Sequence, residues 1–184
     1  MESTEQSYQR FLCGDERGLV DLIRAYRDGL ILYLNGFVSD LSVAEDLAED
    51  TFLKLVLKKP RFSARSTFKT WLYTIGRNLA LDHLRRNKRV HIPLEHCPEV
   101  ADEELDLERQ YLRQEEKIEL HRTMKKLKDE YRQILWLIYF EDFSCEEAGK
   151  IMGKSVNSIR VLVCRARQAL KTKLTEEGFV YENL

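Results

Sequence analysis

Helix-breaking residues are scarce in this sequence, since its 184 residues include only three Pro and eight Gly. Folds built from many short strands need frequent turns that contain Gly or Pro, so this scarcity favours helices. Hydrophobic residues make up 43% and charged residues 33% of the chain, a balance typical of a globular protein and not of a disordered one. A chain of this length forms one ordinary domain or two small ones.

Signals for secretion and for membrane insertion are also lacking. The N-terminal stretch MESTEQSYQR is polar and of mixed charge, unlike a signal peptide. No apolar run approaches the roughly 20 residues that span a bilayer. The four Cys are scattered without a CxxC pair, which is typical of a reduced protein and not of a disulfide scaffold. We therefore expect a cytoplasmic protein without membrane insertion.

Motifs of catalysis and of cofactor binding are missing as well. The chain has no Gly-rich phosphate loop and no nucleophile motif. The four His form no ligand pattern, and the nearest grouping, His91, His96 and Cys97, lies in a Pro-flanked stretch that does not favour a metal site. The expectation is a protein that is not an enzyme and that holds neither metal nor cofactor.

The net charge is only −1, but residues of opposite charge are segregated into separate blocks along the chain. Residues 54–89 carry many Lys and Arg against a single acid, Asp82. Residues 95–119 reverse this balance, and residues 150–173 are basic again with no acid. Blocks of this kind mark solvated faces or interaction surfaces.

Helical periodicity covers most of the chain outside the acidic block. Apolar residues recur at helical spacing from Leu19 to Leu34. Ser42 and Glu45 predict a capping box at the start of a second helix, which Pro60 ends. A third helix is predicted from Thr67 to about Lys88.

This third helix combines an apolar row with a polar remainder. The row expected in the core is Phe68, Trp71 or Leu72, Ile75 and Leu79. The side chains left on other faces are Lys69, Tyr73, Arg77 and Asn78, followed by Arg85, Arg86, Lys88 and Arg89. A basic groove with an aromatic ring and an amide suits single-stranded or distorted nucleic acid. A membrane-surface helix is the alternative, disfavoured because the apolar row is needed to close a small domain.

The C-terminal block predicts a helix-turn-helix. Ser144 and Glu147 form a capping box ahead of a short helix, and Gly153 suits the C-terminus of that helix. Ser155 can cap the next helix, and the nearly apolar stretch YRQILWLIYF is expected to be the buried support. The apolar stripe of the second helix is Val156, Ile159, Val163, Ala166, Leu170 and Leu174.

The opposite face of this second helix is polar and basic. It carries Asn157, Ser158, Arg160, Val161, Cys164, Arg165 and Gln168. In a helix-turn-helix such a face enters the major groove, where Arg bonds guanine edges. A helical hairpin with a solvated basic face is the alternative.

Three stretches together resemble bacterial sigma factors of the extracytoplasmic-function (ECF) group: AEDLAEDTFLKLV, RFSARSTFKTWLYTIGRNLALDHLRR and LKDEYRQILWLIYFEDFSCEEAGKIMGKSVNSIRVLVCRARQAL. The resemblance covers nearly the whole chain except the C-terminal tail. It implies an all-α fold of two small helical domains joined by an acidic linker. The implied parts are a region 2-like domain (1–90), the linker (91–112), a region 4-like helix-turn-helix domain (113–175) and a tail (176–184).

The resemblance also implies a non-catalytic subunit of RNA polymerase, with promoter DNA and an anti-sigma factor as further partners. The N-terminal domain is expected to dock on the beta-prime subunit and to open the minus-ten element. The C-terminal domain is expected to read the minus-thirty-five element and to contact the beta subunit. A free-standing helix-turn-helix repressor or activator is the alternative, although no dimerisation helix or ligand pocket is evident.

Carried over position by position, the resemblance implies three sets of contact residues. The polymerase-binding set is Asp46, Glu49, Asp50 and Leu53. The minus-ten set is Phe62, Ser63, Ala64, Arg65, Ser66, Thr67, Lys69, Arg77, Asn78, Arg85 and Arg86. The minus-thirty-five set is Lys154, Ser155, Asn157, Ser158, Arg160, Val161, Cys164 and Arg165. Three positions depart from the family pattern: Glu49 replaces a frequent Gln, Leu162 a frequent Arg, and Cys164 a larger side chain.

Overall fold

The computed structural model describes residues 3–60, 62, 66–87 and 115–177, and these residues form eight helices and no strand. The chain divides into two compact units, Met1–Pro98 and Glu99–Leu184. The predicted all-α class is therefore confirmed, while the predicted linker lies outside the described residues. The helices are α1 (Thr4–Leu12), α2 (Arg17–Val38), α3 (Leu41–Lys58), α4 (Phe68–Asn87), α5 (Glu115–Lys125), α6 (Asp129–Tyr139), α7 (Cys145–Met152) and α8 (Val156–Glu176).

Helix α2 is the centre of the first unit. It contacts α1, α3 and α4, and its residues 29–35 are all buried. A helix that is surrounded in this way has no solvent-facing polar stripe over the buried part. The predicted apolar run from Leu19 to Leu34 is thus confirmed as the core helix.

Helix α1, which the periodicity did not single out, packs closely on the start of α2. Ser3 and Gln6 form a capping box at its N-terminus. A Cβ atom added at Gly18 would lie 2.2 Å from the carbonyl oxygen of Ser7. The two backbones approach so closely that only glycine fits at position 18.

The start of α3 differs from the prediction. Asp40 is the N-cap, and its carboxylate accepts a hydrogen bond from the backbone N–H of Val43 at 3.2 Å. Ser42 lies inside the helix, and Glu45 forms an ion pair with Arg27 at 3.3 Å, so the predicted capping box is wrong. The predicted end is confirmed, because α3 stops at Lys58, before Pro60.

Helix α4 packs against both α2 and α3, and this widens its buried face beyond the predicted row. Tyr73 was expected on a polar face, but it is fully buried, with its ring centroid 5.3 Å from that of Tyr33. Ile75 and Leu79 are only half-buried. The buried side of α4 consists of Phe68, Thr70, Leu72, Tyr73, Gly76 and Ala80.

The second unit contains the predicted helix-turn-helix, formed by α7 and α8. Ser144 and Glu147 make the predicted capping box of α7, and Gly153 ends that helix in the left-handed region at φ +66°. The Ser155 hydroxyl caps α8 by accepting from the backbone N–H of Ser158 at 3.2 Å. Helix α6 is the predicted buried support, since residues 133–137 are all buried.

The buried stripe of α8 is turned slightly from its predicted position. Val156 and Val163 are half-buried, whereas Leu162 is only 8% exposed. Leu162 therefore belongs to the core of the second unit, at a position where the family often has Arg. The reason is that α8 packs on both α6 and α7. Its buried residues are Ile159, Leu162, Ala166, Leu170 and Leu174.

Candidate protein and nucleic-acid interfaces

The four residues predicted to bind polymerase lie on one exposed face of α3. Asp46, Glu49, Asp50 and Leu53 follow each other at helical spacing, and all four are exposed. They form part of an open groove of about 640 Å³ between α2 and α3. The remaining residues of this groove are Leu19, Ile23, Arg27, Phe52 and Val56.

The groove combines apolar side chains with acidic ones. Leu53 exposes 49% of its surface, so the groove has apolar area open to solvent. Arg27 is the basic residue of the groove, but its guanidinium pairs with Asp28 and Glu45, each at 3.3 Å. Apolar surface beside acidic carboxylates suits a partner helix with apolar and basic side chains.

The described residues of the minus-ten set lie at the start of α4 and along it. Thr67 caps α4, because its Oγ1 accepts from the backbone N–H of Thr70 at 3.2 Å. Asn78, Arg85 and Arg86 are exposed, and Lys69 is half-buried, with its Nζ 5.9 Å from the Tyr73 ring centroid. Ser63, Ala64 and Arg65 lie outside the described residues.

Arg77 differs from Arg85 and Arg86 of this set, which are exposed. It is half-buried, and its Nε atom is buried without a hydrogen-bond partner. The hydroxyl of Tyr33 is likewise buried and unpartnered. Burial raises the pKa of Tyr33, and the nearby positive charge of Arg77 opposes this rise. The charge of Arg77 therefore acts partly inside the domain.

An aromatic cluster stands where α4 begins. The ring of Phe62 lies 6.1 Å from Phe68 and 5.6 Å from Trp71, measured between centroids. Tyr8 of α1 contacts the same two rings, at 5.1 and 5.5 Å. Phe62 and Trp71 remain half-buried, so the cluster presents aromatic surface beside the predicted minus-ten residues.

Two residues of α1 that sequence reasoning missed hydrogen-bond to the chain on either side of this cluster. The hydroxyl of Tyr8 donates to the carbonyl oxygen of Pro60 at 2.7 Å. The carboxylate of Glu5 accepts from the backbone N–H of Phe68 at 3.1 Å. This backbone hydrogen bond holds the pKa of Glu5 below its usual value. No local signal predicts either contact, since the partners are 52 and 63 residues apart.

All eight residues of the minus-thirty-five set are exposed on the helix-turn-helix. Val161 exposes 51% of its surface in the first half of α8. Three members of the set already have partners within the protein: Lys154 pairs with Glu130 at 2.8 Å, and the hydroxyls of Ser155 and Ser158 are hydrogen-bonded to each other at 2.8 Å. The free face of α8 is therefore centred on its Arg and Val side chains.

A shallow groove of about 300 Å³ continues this face toward the C-terminus of α8. Arg167 and Lys171 line it, and the prediction omitted both although the basic run of the sequence contains them. Arg167 also donates from Nε to the hydroxyl of Tyr139, and its guanidinium carbon lies 5.4 Å from the centroid of that ring. The full set of groove residues is Arg160, Val163, Cys164, Arg167, Gln168 and Lys171.

Within the described part of the chain, no cluster of three or more His, Cys, Asp or Glu residues is arranged to hold a metal ion. His91, His96 and Cys97 lie outside that part. Among the described helices, none combines the length and the apolar character required to cross a membrane.

Comparison with known proteins gives two family matches, sigma-70 region 2 over residues 22–90 and sigma-70 region 4 over residues 117–170. The chain is 32% identical to the RNA polymerase sigma factor YlaC of Bacillus subtilis, over 85% of this chain and 91% of that protein. It is 32% identical to the ECF RNA polymerase sigma factor SigC of Mycobacterium tuberculosis, over 85% of this chain and 83% of that protein. Among solved structures, the sigma factor RpoE of Bartonella quintana, determined with the anti-sigma factor NepR, is 26% identical with a TM-score of 0.65, over 84% of this chain and 95% of that one. The chain therefore belongs to the ECF group of RNA polymerase sigma factors.

Proposed function

We propose that this chain directs core RNA polymerase to specific promoters and opens their minus-ten DNA. The observation that carries the proposal is the presence, in one chain, of an exposed acidic and apolar groove on α3 and an exposed basic face on α8. A sigma factor needs both surfaces, whereas a free-standing helix-turn-helix regulator needs only the second. Sigma factors are initiation factors and not enzymes in themselves, and this one would work in the cytoplasm.

In this proposal residues 1–90 dock on polymerase and open DNA, residues 113–175 read duplex DNA, and residues 91–112 tether the two. Docking uses Asp46, Glu49, Asp50 and Leu53. The exposed Leu53 provides apolar area to bury, and the three carboxylates select a basic partner surface such as the clamp helices of the beta-prime subunit.

Opening of the minus-ten element requires that a base leaves the helical stack, which costs a few kcal/mol. We assign capture of that base to the segment from Phe62 to Thr67, at the N-terminus of α4. The exposed Asn78 is assigned to a neighbouring base, and Lys69, Arg85 and Arg86 to phosphates. Phosphate contacts hold the strand in position but do not read its sequence.

Reading of the minus-thirty-five element is assigned to α8. Arg160 and Arg165 are exposed on its free face, and Arg is the side chain that most often contacts guanine in the major groove. The exposed Val161 suits contact with a thymine methyl group. The minus-thirty-five sequence is therefore expected to contain both guanine and thymine.

We further propose a protein inhibitor of the anti-sigma class as a partner. The support is the similarity to RpoE, whose structure was determined with the anti-sigma factor NepR. The groove on α3 would be one surface for such a protein to cover, because covering it would block polymerase docking.

The test is transcription on fragmented host DNA with purified chain and sigma-free core polymerase, followed by sequencing of RNA 5′ ends. We expect discrete start sites that share two upstream motifs. No new start sites, together with no co-elution of the chain with core polymerase, would refute the proposal and leave a duplex-binding regulator.

Matched variants make this test specific to the assigned surfaces. Leu53→Ser is expected to abolish co-elution with core polymerase, because it removes the exposed apolar side chain of the groove. Leu57→Ser is the control, since Leu57 is 73% exposed on the same helix but does not line the groove. Arg160→Ala is expected to weaken duplex binding, with Lys128→Ala, an exposed cation on the α5–α6 turn, as its control.

A further inference from the structure

We infer that Glu5 and Tyr8 of α1 are positioning residues for promoter opening, because they hold both ends of the segment that joins α3 to α4. The inference rests on the proposed function, in which that segment captures the unstacked base. One end is Pro60, whose carbonyl oxygen receives the Tyr8 hydroxyl at 2.7 Å. The other end is Phe68, whose N–H reaches the Glu5 carboxylate at 3.1 Å.

The Glu5 contact stabilises the start of α4. The first N–H groups of a helix have no partner within the helix and lie at the positive end of its dipole. Thr67 satisfies one of these donors, the N–H of Thr70, and the carboxylate of Glu5 satisfies the N–H of Phe68. The lowered pKa of Glu5 agrees with this environment, since the Phe68 hydrogen bond is its main cause. The exact starting point of α4 thus depends on a residue of α1.

The Tyr8 ring also contacts the start of α4 directly. It packs on Phe68 at 5.1 Å and on Trp71 at 5.5 Å, and Tyr8 is fully buried. Phe62, which belongs to the segment itself, contacts the same two rings. Tyr8 and Phe62 therefore share one aromatic support, so a shift of Tyr8 would change the position of Phe62.

Helix α1 is itself fixed in place. Gly18 allows its backbone to approach that of α2, and a Cβ atom there would lie 2.2 Å from the Ser7 carbonyl oxygen. Arg10 adds ion pairs to Asp15 at 2.7 Å and to Asp21 at 3.6 Å. Because α1 is anchored to α2, Glu5 and Tyr8 hold Pro60 and Phe68 against the rest of the domain and do not merely follow them.

The functional consequence is preorganisation. A binding segment that is ordered before its ligand arrives loses less conformational entropy on binding. If α1 holds Pro60 and Phe68, then Phe62, Ser66 and Thr67 are placed before the base leaves the duplex. Loss of the Glu5 or Tyr8 contact should therefore weaken capture of the single strand, but not docking on polymerase or reading of the minus-thirty-five duplex.

The test compares the holoenzymes of Tyr8→Phe and Glu5→Gln with the wild type. Tyr8→Phe removes only the hydroxyl, and Glu5→Gln replaces the charge-assisted hydrogen bond to the Phe68 N–H by a weaker neutral one. The probes are an oligonucleotide of the non-template strand across the minus-ten element and a duplex of the minus-thirty-five element, both from a promoter identified by the start-site sequencing. We expect single-strand affinity to fall about three- to tenfold for each variant, with duplex affinity and core binding unchanged.

Two controls separate positioning from general stability. Gln9→Ala changes an exposed side chain on α1 and should leave single-strand affinity intact. Asp40→Ala removes the N-cap of α3 in the same unit and should lower the thermal midpoint without a loss of single-strand affinity. Base discrimination in the minus-ten strand should also decrease in Tyr8→Phe and Glu5→Gln, but not in Asp40→Ala.

The inference is overturned if Tyr8→Phe and Glu5→Gln bind the strand as tightly as the wild type. It is equally overturned if Asp40→Ala, at a comparable thermal midpoint, loses as much strand affinity as they do. In both cases a wild-type holoenzyme that opens promoters would leave the proposed function standing. A wild-type chain that yields no start sites would refute the proposed function and this inference together.

Discussion

The close approach of α1 and α2 makes Gly18→Ala the sharpest test of the packing in the first unit. Position 18 is in a helix, where alanine is ordinarily favoured over glycine by about 1 kcal/mol. Here the new methyl carbon would lie 2.2 Å from the Ser7 carbonyl oxygen and 2.9 Å from the Phe11 nitrogen. Both are backbone atoms, so no side-chain rotation relieves the clash, and α1 must move by about 1 Å or detach.

The size of the effect follows from what α1 buries. An overpacked core costs about 1–3 kcal/mol when the neighbour can shift. Complete detachment would expose the buried side chains of Tyr8 and Phe11, each worth roughly 1.5–3 kcal/mol, so it is the costlier outcome. Contact with two backbone atoms places the cost of a shift at the upper end of that range, about 2–3 kcal/mol. After the gain in helix propensity of about 1 kcal/mol is subtracted, we expect Gly18→Ala to lower the free energy of unfolding of the first unit by about 1–2 kcal/mol.

Urea unfolding followed by tryptophan fluorescence can measure this in the full chain. The two Trp residues of the sequence lie in different units, Trp71 in the first and Trp136 in the second. In a Trp136→Phe background the signal comes from Trp71, whose ring is 5.5 Å from Tyr8. Gly14→Ala is the control, because no atom lies within 4 Å of its added Cβ and only its positive φ of +98° is unfavourable. A Gly18→Ala variant as stable as the wild type would refute the packing argument.

Three further predictions concern caps, pH and the core. Ser144→Ala should lower the free energy of unfolding of the second unit by about 1 kcal/mol through loss of the α7 capping box, measured by Trp136 fluorescence in a Trp71→Phe background. Because the folded pKa of Glu5 is below its ordinary 4.5, its stabilising contribution should be complete above about pH 4.5 and disappear as pH falls through the folded value. Glu5→Gln should remove this pH dependence of the urea midpoint. If the variant keeps the pH profile of the wild type, the pH dependence does not come from Glu5. Leu162→Arg should cost the second unit at least the roughly 1.5–3 kcal/mol of a buried leucine, without a gain in duplex affinity.

Interactions that span only a few residues were predictable from the sequence. The capping box of Ser144 and Glu147 and the left-handed Gly153 depend on local geometry alone, and both predictions are confirmed. The capping box predicted at Ser42 is absent for an equally local reason. Asp40 takes the N-cap position first, so α3 has already begun when the chain reaches Ser42.

The faces of helices were less predictable, because a buried stripe depends on how many neighbours a helix has. A single row of apolar residues describes a helix that packs on one side. Helix α4 contacts three helices, α1, α2 and α3, and this buries Tyr73, which the single-row pattern placed on a polar face. The same cause places Leu162 in the core of the second unit, at a position where the family pattern often has Arg.

Residues predicted to contact a partner can be identified from the sequence. Residues proposed to position them cannot. Side chains such as Arg160 and Leu53 lie on the free face of one helix, so a periodic pattern or a family resemblance can indicate them. Glu5 contacts a backbone N–H that is 63 residues away in sequence. Every residue except proline has such an N–H, so no sequence pattern indicates which one Glu5 will contact. Its proposed role follows only from the fold, and we expect a variant that lacks this distant carboxylate to bind the minus-ten strand less tightly even when it keeps every predicted DNA-contacting side chain.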